Sequence, residues 1–149
     1  VVAQCSNWQL LVDDVREHLA LGETSYDFIL VDLEENQVTP AWVTDTQFLQ
    51  NCHARLNAQG VLTLNLILHD NAAVSEALLR VRRIFGTAAM LVSNPEHDNL
   101  LVLAFRTPAP EIPATETLEQ RGRRWGIDFT TLATHITRLD MPPFPSDRD

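Results

Sequence analysis

The stretch YDFILVDLEENQVTP, residues 26–40, sets an uninterrupted apolar run from Phe28 to Val31 against an aspartate, Asp32. It then leaves through two glutamates, an asparagine and a proline. A continuous rather than alternating run is the pattern of a strand covered on both faces, as in parallel sheets buried under helices. The carboxylate that ends it has two readings. It starts a turn or caps a helix, as aspartates leaving strands commonly do. Or it faces a ligand crevice, because open parallel sheets bind ligands outside the carboxyl ends of their strands.

The same rhythm extends outward from this strand. Upstream, WQLLV (8–12) is a short apolar run closed by Asp13 and Asp14, and VREHLALG places Val15, Leu19 and Leu21 near helical spacing before Gly22. Downstream of Pro40, Thr44 or Asp45 is placed to cap a helix with Phe48, Leu49, Cys52 and Leu56 at helical spacings, stopped by Gly60. VLTLNLIL is then a third strand, and NAAVSEALLRVRRIFG a third helix ending at Gly86. The alternation predicts an α/β fold with a mostly parallel sheet. The rhythm then breaks, because AAMLVS and NLLVLAF are separated by NPEHD alone, too short for a parallel crossover, and are expected to form an antiparallel hairpin. Strands are therefore expected near 8–12, 26–32, 61–67, 88–93 and 99–105. The domain organisation expected is an α/β unit over 1–106, a Pro-rich linker over 107–114, and C-terminal helices broken at Gly126 with a tail over 115–149, packed on the same domain.

Composition narrows the functional classes. The chain has 149 residues, 45% of them hydrophobic and 21% charged, enough for one ordinary core. No apolar run approaches the roughly 20 residues needed to span a bilayer, and VVAQCSNWQLL lacks the basic start and long apolar centre of a secretion signal. A cytoplasmic protein with no membrane partner is the expectation. Eleven basic residues against 20 acidic ones give a net charge of −9, which repels phosphate backbones, so no nucleic-acid partner is expected. Cys5 and Cys52 are far apart, with no Cys-x-x-Cys and no His cluster at metal spacing, so no disulfide framework and no metal site are expected. Among weaker candidates, His69 beside Asp70 reads as loop chemistry, Arg121, Arg123 and Arg124 as a solvated helix face, and Trp8, Trp42 and Trp125 as core or interface anchors.

The segment YDFILVDLEENQVTPAWVTDTQFLQNCHARLNAQGVLTLNL resembles the central part of the spermidine synthases and spermidine synthase-like proteins, which share the class I S-adenosylmethionine-dependent methyltransferase fold. Tyr26-Asp27 opening a buried strand, Asp32 at its end, a proline-bearing loop, a helix ending ARLNAQG and a strand leading to Asn65 carry the resemblance. Upstream, LLVDDVREHL is similar to that family's Gly-Asp-Ala-Arg-x-Phe-Leu element, with Asp14 at its aspartate and Asp13 where glycine is usual. The resemblance implies a Rossmann-like sheet whose N-terminal strands and glycine-rich turn precede residue 1. It implies a transferase, with Asp14, flanked by Asp13 and Val15, at the adenine of a cosubstrate. Asp32 would stand beside the reacting amine as its base, and the loop with Glu34 and Glu35 would cover the site. S-adenosylmethionine or its decarboxylated relative is the cosubstrate implied for the intact parent, aminopropyl or methyl transfer the reaction, and a small-molecule amine or other acceptor the partner. The sequence departs from polyamine-specific members after Asp32, where Leu33, Glu34, Glu35 and Asn36 replace an Asp-Ser-Ser/Thr-Asp-Pro type sequence. Its five glycines form no cluster that could cradle the methionine part of the cosubstrate, so none is expected to bind this chain alone. A homodimer is expected from the strand edges this leaves unpaired. The rival reading is a non-catalytic, degenerate methyltransferase-fold domain kept for protein association.

Overall fold

A computed structural model describes residues 9–93 and 99–139 of the chain. Trp8, Cys5, the tip of the expected hairpin and the expected tail at 140–149 lie outside the described residues. The order of elements is α1 (Val15–Leu21), β1 (Tyr26–Val31), a 3-10 turn (Ala41–Thr44), α2 (Thr46–Arg55), β2 (Leu56–Ile67), α3 (Asn71–Phe85), β3 (Ala89–Ser93), β4 (Asn99–Phe105), α4 (Thr115–Trp125), α5 (Phe129–Thr134) and β5 (Ile136–Arg138).

The strands form one sheet in the order β1-β2-β4-β3-β5. β1 and β2 pair in parallel, and β4 is antiparallel to both β2 and β3. It follows that β1, β2 and β3 point the same way, with β4 reversed between β2 and β3, while β5 closes the far side antiparallel to β3. This is a Rossmann-like α/β sheet with the C-terminal hairpin that the short NPEHD connection demands.

The two faces of the sheet are covered differently. One face carries Val31, Leu62, Leu64, Leu66, Val102 and Ala104, all in the core cluster with Phe48, Leu49 and Cys52 of α2 and Ala77, Val81 and Phe85 of α3. Each fully buried leucine there contributes about 1.5–3 kcal/mol by removal from water. On the other face, Met90, Leu103 and Phe105 share an apolar cavity with Leu118 of α4, Phe129 and Leu132 of α5 and Ile136 of β5. The C-terminal helices thus lie over the β4–β3 side, joined by Gly126, which takes the left-handed conformation (φ 67°) that ends α4. Toward β1 this face is open, and Phe28 and Leu30 are each 58% exposed.

Two boundary expectations need correction. Residues 9–12 form no strand, and Leu10 and Val12 are 72% and 97% exposed. A strand requires a neighbour to hydrogen-bond, and β1 pairs with β2 and, among the described residues, with no strand on its other edge. The second helix ends at Arg55, five residues before Gly60, and β2 begins at once with Leu56 paired to Tyr26. Arg106, at the end of β4, caps this helix: its Nη1 donates to the carbonyls of His53 (2.9 Å) and Leu56 (2.6 Å). Residues 57–60 bulge out against β1. Gly60 is required there by contact, since a Cβ would meet the Tyr26 carbonyl oxygen at 2.9 Å. The short strand β5 was not foreseen, and Trp125, expected as an anchor, is 64% exposed, whereas Trp42 packs against the core.

Candidate functional site

The parallel register of β1 and β2 brings three polar side chains together at the carboxyl edge of the sheet. Val31 lies opposite Leu64, so Asp32 stands beside Asn65, and Ile67 lies opposite Asn99 of β4. Asn65 Nδ2 donates to Asp32 Oδ1 at 2.8 Å, and Asn99 Nδ2 donates to Asn65 Oδ1 at 2.9 Å. An ionised carboxylate can accept but not donate, which fixes the Asn65 amide with its nitrogen toward Asp32 and its oxygen toward Asn99. Among the described residues no group donates to Asp32 Oδ2. Beneath this row, on the same face of β2, the buried hydroxyl of Thr63 has no hydrogen-bond partner.

The loop that follows Asp32 is held by its own chemistry. Glu35 and Val38 pair across a tight turn whose central residues Asn36 (φ 54°) and Gln37 (φ 64°) both have positive φ, and Glu34 Oε1 accepts from Gln37 N at 3.1 Å. Thr39 then pins the loop to the sheet: Thr39 N donates to the Ile67 carbonyl (3.0 Å), and its hydroxyl accepts from Ile67 N (2.8 Å). Glu34 is thus committed to the turn.

Asp14 is the N-cap of α1. Its carboxylate accepts from Arg16 N (2.9 Å) and from the Arg16 guanidinium (2.6 Å to Nη2). These bonds hold its pKa down at about 2. The same guanidinium lies 5.1 Å from the centre of the Trp42 ring, which ties the start of α1 to the chain beyond the loop. Asp13 caps the Asp14 backbone (2.8 Å) and lies 4.0 Å from His18 Nδ1, while His18 Nε2 meets the Tyr26 hydroxyl at 2.9 Å.

Two cavities, each of about 420 Å³, meet at this edge. One lies between α1 and the open edge of β1 and is walled by Val15, His18 and Tyr26. The other lies on the sheet face, with Asn65 and Asn99 at one side and Val92, Leu101 and Leu132 at the other. Leu30 and Asp32 line both. The structure therefore brings Val15 and Asp32 to one cavity, while Asp13 and Asp14 lie outside its lining. Asn99 and the His18–Tyr26 pair were missed in the sequence. A polar residue opening an otherwise apolar strand was the available signal for Asn99. Of the other candidates, Asp70 caps α3 through Ala72 N (3.0 Å), and burial pushes the Cys52 thiol up to about 12. No group of residues able to hold a metal ion occurs among the described residues, and no helix there is long and apolar enough to cross a membrane.

No family model matches the sequence, and no curated protein matches it. Solved structures do. The chain superposes on human Methyltransferase-like protein 13, solved in complex with SAH, with a TM-score of 0.63 at 21% identity over 93% of this chain. It superposes on a probable spermidine synthase from Corynebacterium glutamicum with a TM-score of 0.61 at 19% identity over 91% of this chain. It spans 62% and 55% of those two chains. The sheet order, the reversed β4 and these superpositions together assign the chain the class I S-adenosylmethionine-dependent methyltransferase fold.

Proposed function

We propose that the chain is part of a spermidine synthase-like transferase that moves a methyl or aminopropyl group from an S-adenosylmethionine-type cosubstrate to an amine. The observation that carries this reading is the position of Asp32, at the carboxyl end of β1, as the shared wall of two cavities and with one carboxylate oxygen left for a ligand. In such a transfer the amine nitrogen forms a bond to the carbon next to sulfur, the carbon–sulfur bond breaks, and a neutral thioether leaves. An ammonium cannot attack, so the acceptor must first lose a proton, and a carboxylate beside it both binds the cation and takes that proton. Asp32 is given that role. The cavity beside α1, with Val15 in its wall and Asp14 and Asp13 at the helix start, is given the nucleoside, and the Glu34–Glu35 turn covers the edge. The residues fit the acceptor side better than the nucleoside side, because the Asp14 carboxylate is already held by Arg16. That same pairing, with the absence of a glycine cluster from the sequence, favours the second reading, a non-catalytic domain for protein association.

The test is a transfer assay on protein expressed from the whole reading frame in which this sequence occurs, given S-adenosylmethionine or its decarboxylated relative and a primary amine. Release of S-adenosylhomocysteine or 5′-methylthioadenosine, reduced about 100-fold or more in Asp32→Asn, is expected for loss of a general base. Absence of both products selects the non-catalytic reading.

A further inference from the structure

The cavity on the sheet face is polar on one side and apolar on the other. At the carboxyl edge stand Asp32, which follows β1, Asn65 of β2 and Asn99 at the start of β4. Across the sheet, the register Asn65–Leu101–Val92 carries the wall onto β4 and β3, and Leu132 of α5 closes it from the C-terminal helices. Among the described lining residues Asp32 is the one that carries charge. The Asn65 amide is committed at both ends, its nitrogen to Asp32 Oδ1 and its oxygen to Asn99, so one carboxylate oxygen is tied to the sheet and the other, Oδ2, receives no hydrogen bond from the described residues.

We infer that this site takes a primary monoamine with an apolar body, its ammonium on Asp32 and its hydrocarbon along Val92, Leu101 and Leu132, and that it rejects a diamine of the same length. The inference rests on the amine-acceptor reading above and names its substrate class. A terminal ammonium laid against Leu101 and Leu132 gives up part of its water for apolar contact and meets no counter-charge among the described lining residues, which is a cost for a cation. A terminal methyl in the same place gains, since each buried methylene is worth about fourfold in affinity. Asn65 and Asn99 are assigned as positioning residues: they hold the carboxylate rather than touch the reacting atoms.

Long-range electrostatics oppose this preference. A chain of net charge −9 attracts a dication more strongly than a monocation, so a monoamine preference cannot come from charge alone. The matched probes are n-hexylamine and 1,6-diaminohexane, titrated into the isotopically labelled chain at about 0.15 M salt, where long-range attraction is screened, with the side-chain amide signals of Asn65 and Asn99 as the reporter. Hexylamine is expected to shift those signals and to bind at least about tenfold tighter than the diamine. Asp32→Asn, which keeps the shape, should abolish the shift. Asn99→Leu should weaken hexylamine severalfold, and Asn99→Gln should recover part of the loss, a rescue that a merely structural role would not produce. Leu132→Asp, at a position 44% exposed, places a carboxylate at the apolar end and, in protein shown to be folded by its amide spectrum, should reverse the preference in favour of the diamine. Equal or tighter binding of the diamine by the unaltered chain, hexylamine shifts that persist in Asp32→Asn, or no shift at Asn65 and Asn99 would overturn the inference. No cosubstrate is present in this titration. Loss of product in the transfer assay with amine binding intact removes the transferase reading and leaves the site, and the converse removes the site alone.

Discussion

At Asp14 a single carboxylate takes hydrogen bonds on both oxygens from Arg16 and also caps its own helix. Its folded-state pKa of about 2 lies below the ordinary value of 3.8. A depressed carboxylate stabilises the fold above the unfolded pKa, and the contribution disappears as pH falls through the folded value. The stability advantage of the wild type over Asp14→Asn, read from urea unfolding, is therefore expected to be full at about pH 6 and to shrink between about pH 4 and pH 2. A gap that stays constant across that range would contradict the Arg16 pairing as its source. At this scale the sequence was partly legible. Asp32 could be placed at a strand end because the apolar run before it is unmistakable, and Asp14 because two aspartates precede a helical repeat. What Asp32 touches could not be read, because strand register brings Asn65 to it across 33 residues of sequence and Asn99 to Asn65 across 34.

Helix ends carry most of what local chemistry decides in this chain. Asp70 caps α3 through Ala72 N, so Asp70→Ala is expected to cost about 1 kcal/mol of unfolding free energy and Asp70→Asn a few tenths at most, since asparagine caps as well. Equal losses for both substitutions would show that charge, not capping, is what Asp70 supplies. Where an end is set from a distance, the sequence misleads. Leu56 stands four residues after Cys52 and fits the helical repeat, yet it opens β2, because Tyr26 and the Arg106 guanidinium claim the backbone there. Residues 9–12 fail in the opposite sense: an apolar run is present, but no described strand lies beside it to complete a ladder.

The molecule as a whole has one complete side and one open side. Between the sheet and α2–α3 the core is closed, and Leu64→Ala, at a position with no exposure, is expected to cost about 2–5 kcal/mol in urea unfolding. Phe28→Ser, at a half-exposed position on the open side, is expected to cost far less. Comparable losses would mean that Phe28 is covered in solution. The outer edge of β1, with Phe28 and Leu30 beside it, is a template for pairing with another strand. We therefore expect concentration-dependent self-association by light scattering, reduced by Phe28→Lys, and a strict monomer at high concentration would count against it. The class of fold was legible because alternation of buried strands and helices, then a hairpin too short for a crossover, leaves few alternatives. The open side was not, because exposure depends on which strands are neighbours.

In the proposed transferase the nucleoside and the acceptor meet at Asp32, each from one of the two cavities that share it. The most direct measurement is an amide-resolved titration of the labelled chain with 5′-methylthioadenosine to millimolar concentration, then with n-hexylamine added. Nucleoside-induced shifts are expected at Asp13–Val15, at His18 and Tyr26 of the cavity wall, and along the residues from Val31 to Glu35. The apparent dissociation constant should be weaker than about ten micromolar, because a charge-assisted hydrogen bond of about 1.5–3 kcal/mol must first be taken from Arg16. The amine should add shifts at Asn65 and Asn99 without displacing the nucleoside. Nucleoside shifts centred on α4 and α5, or an amine that competes with the nucleoside for the same signals, would contradict it.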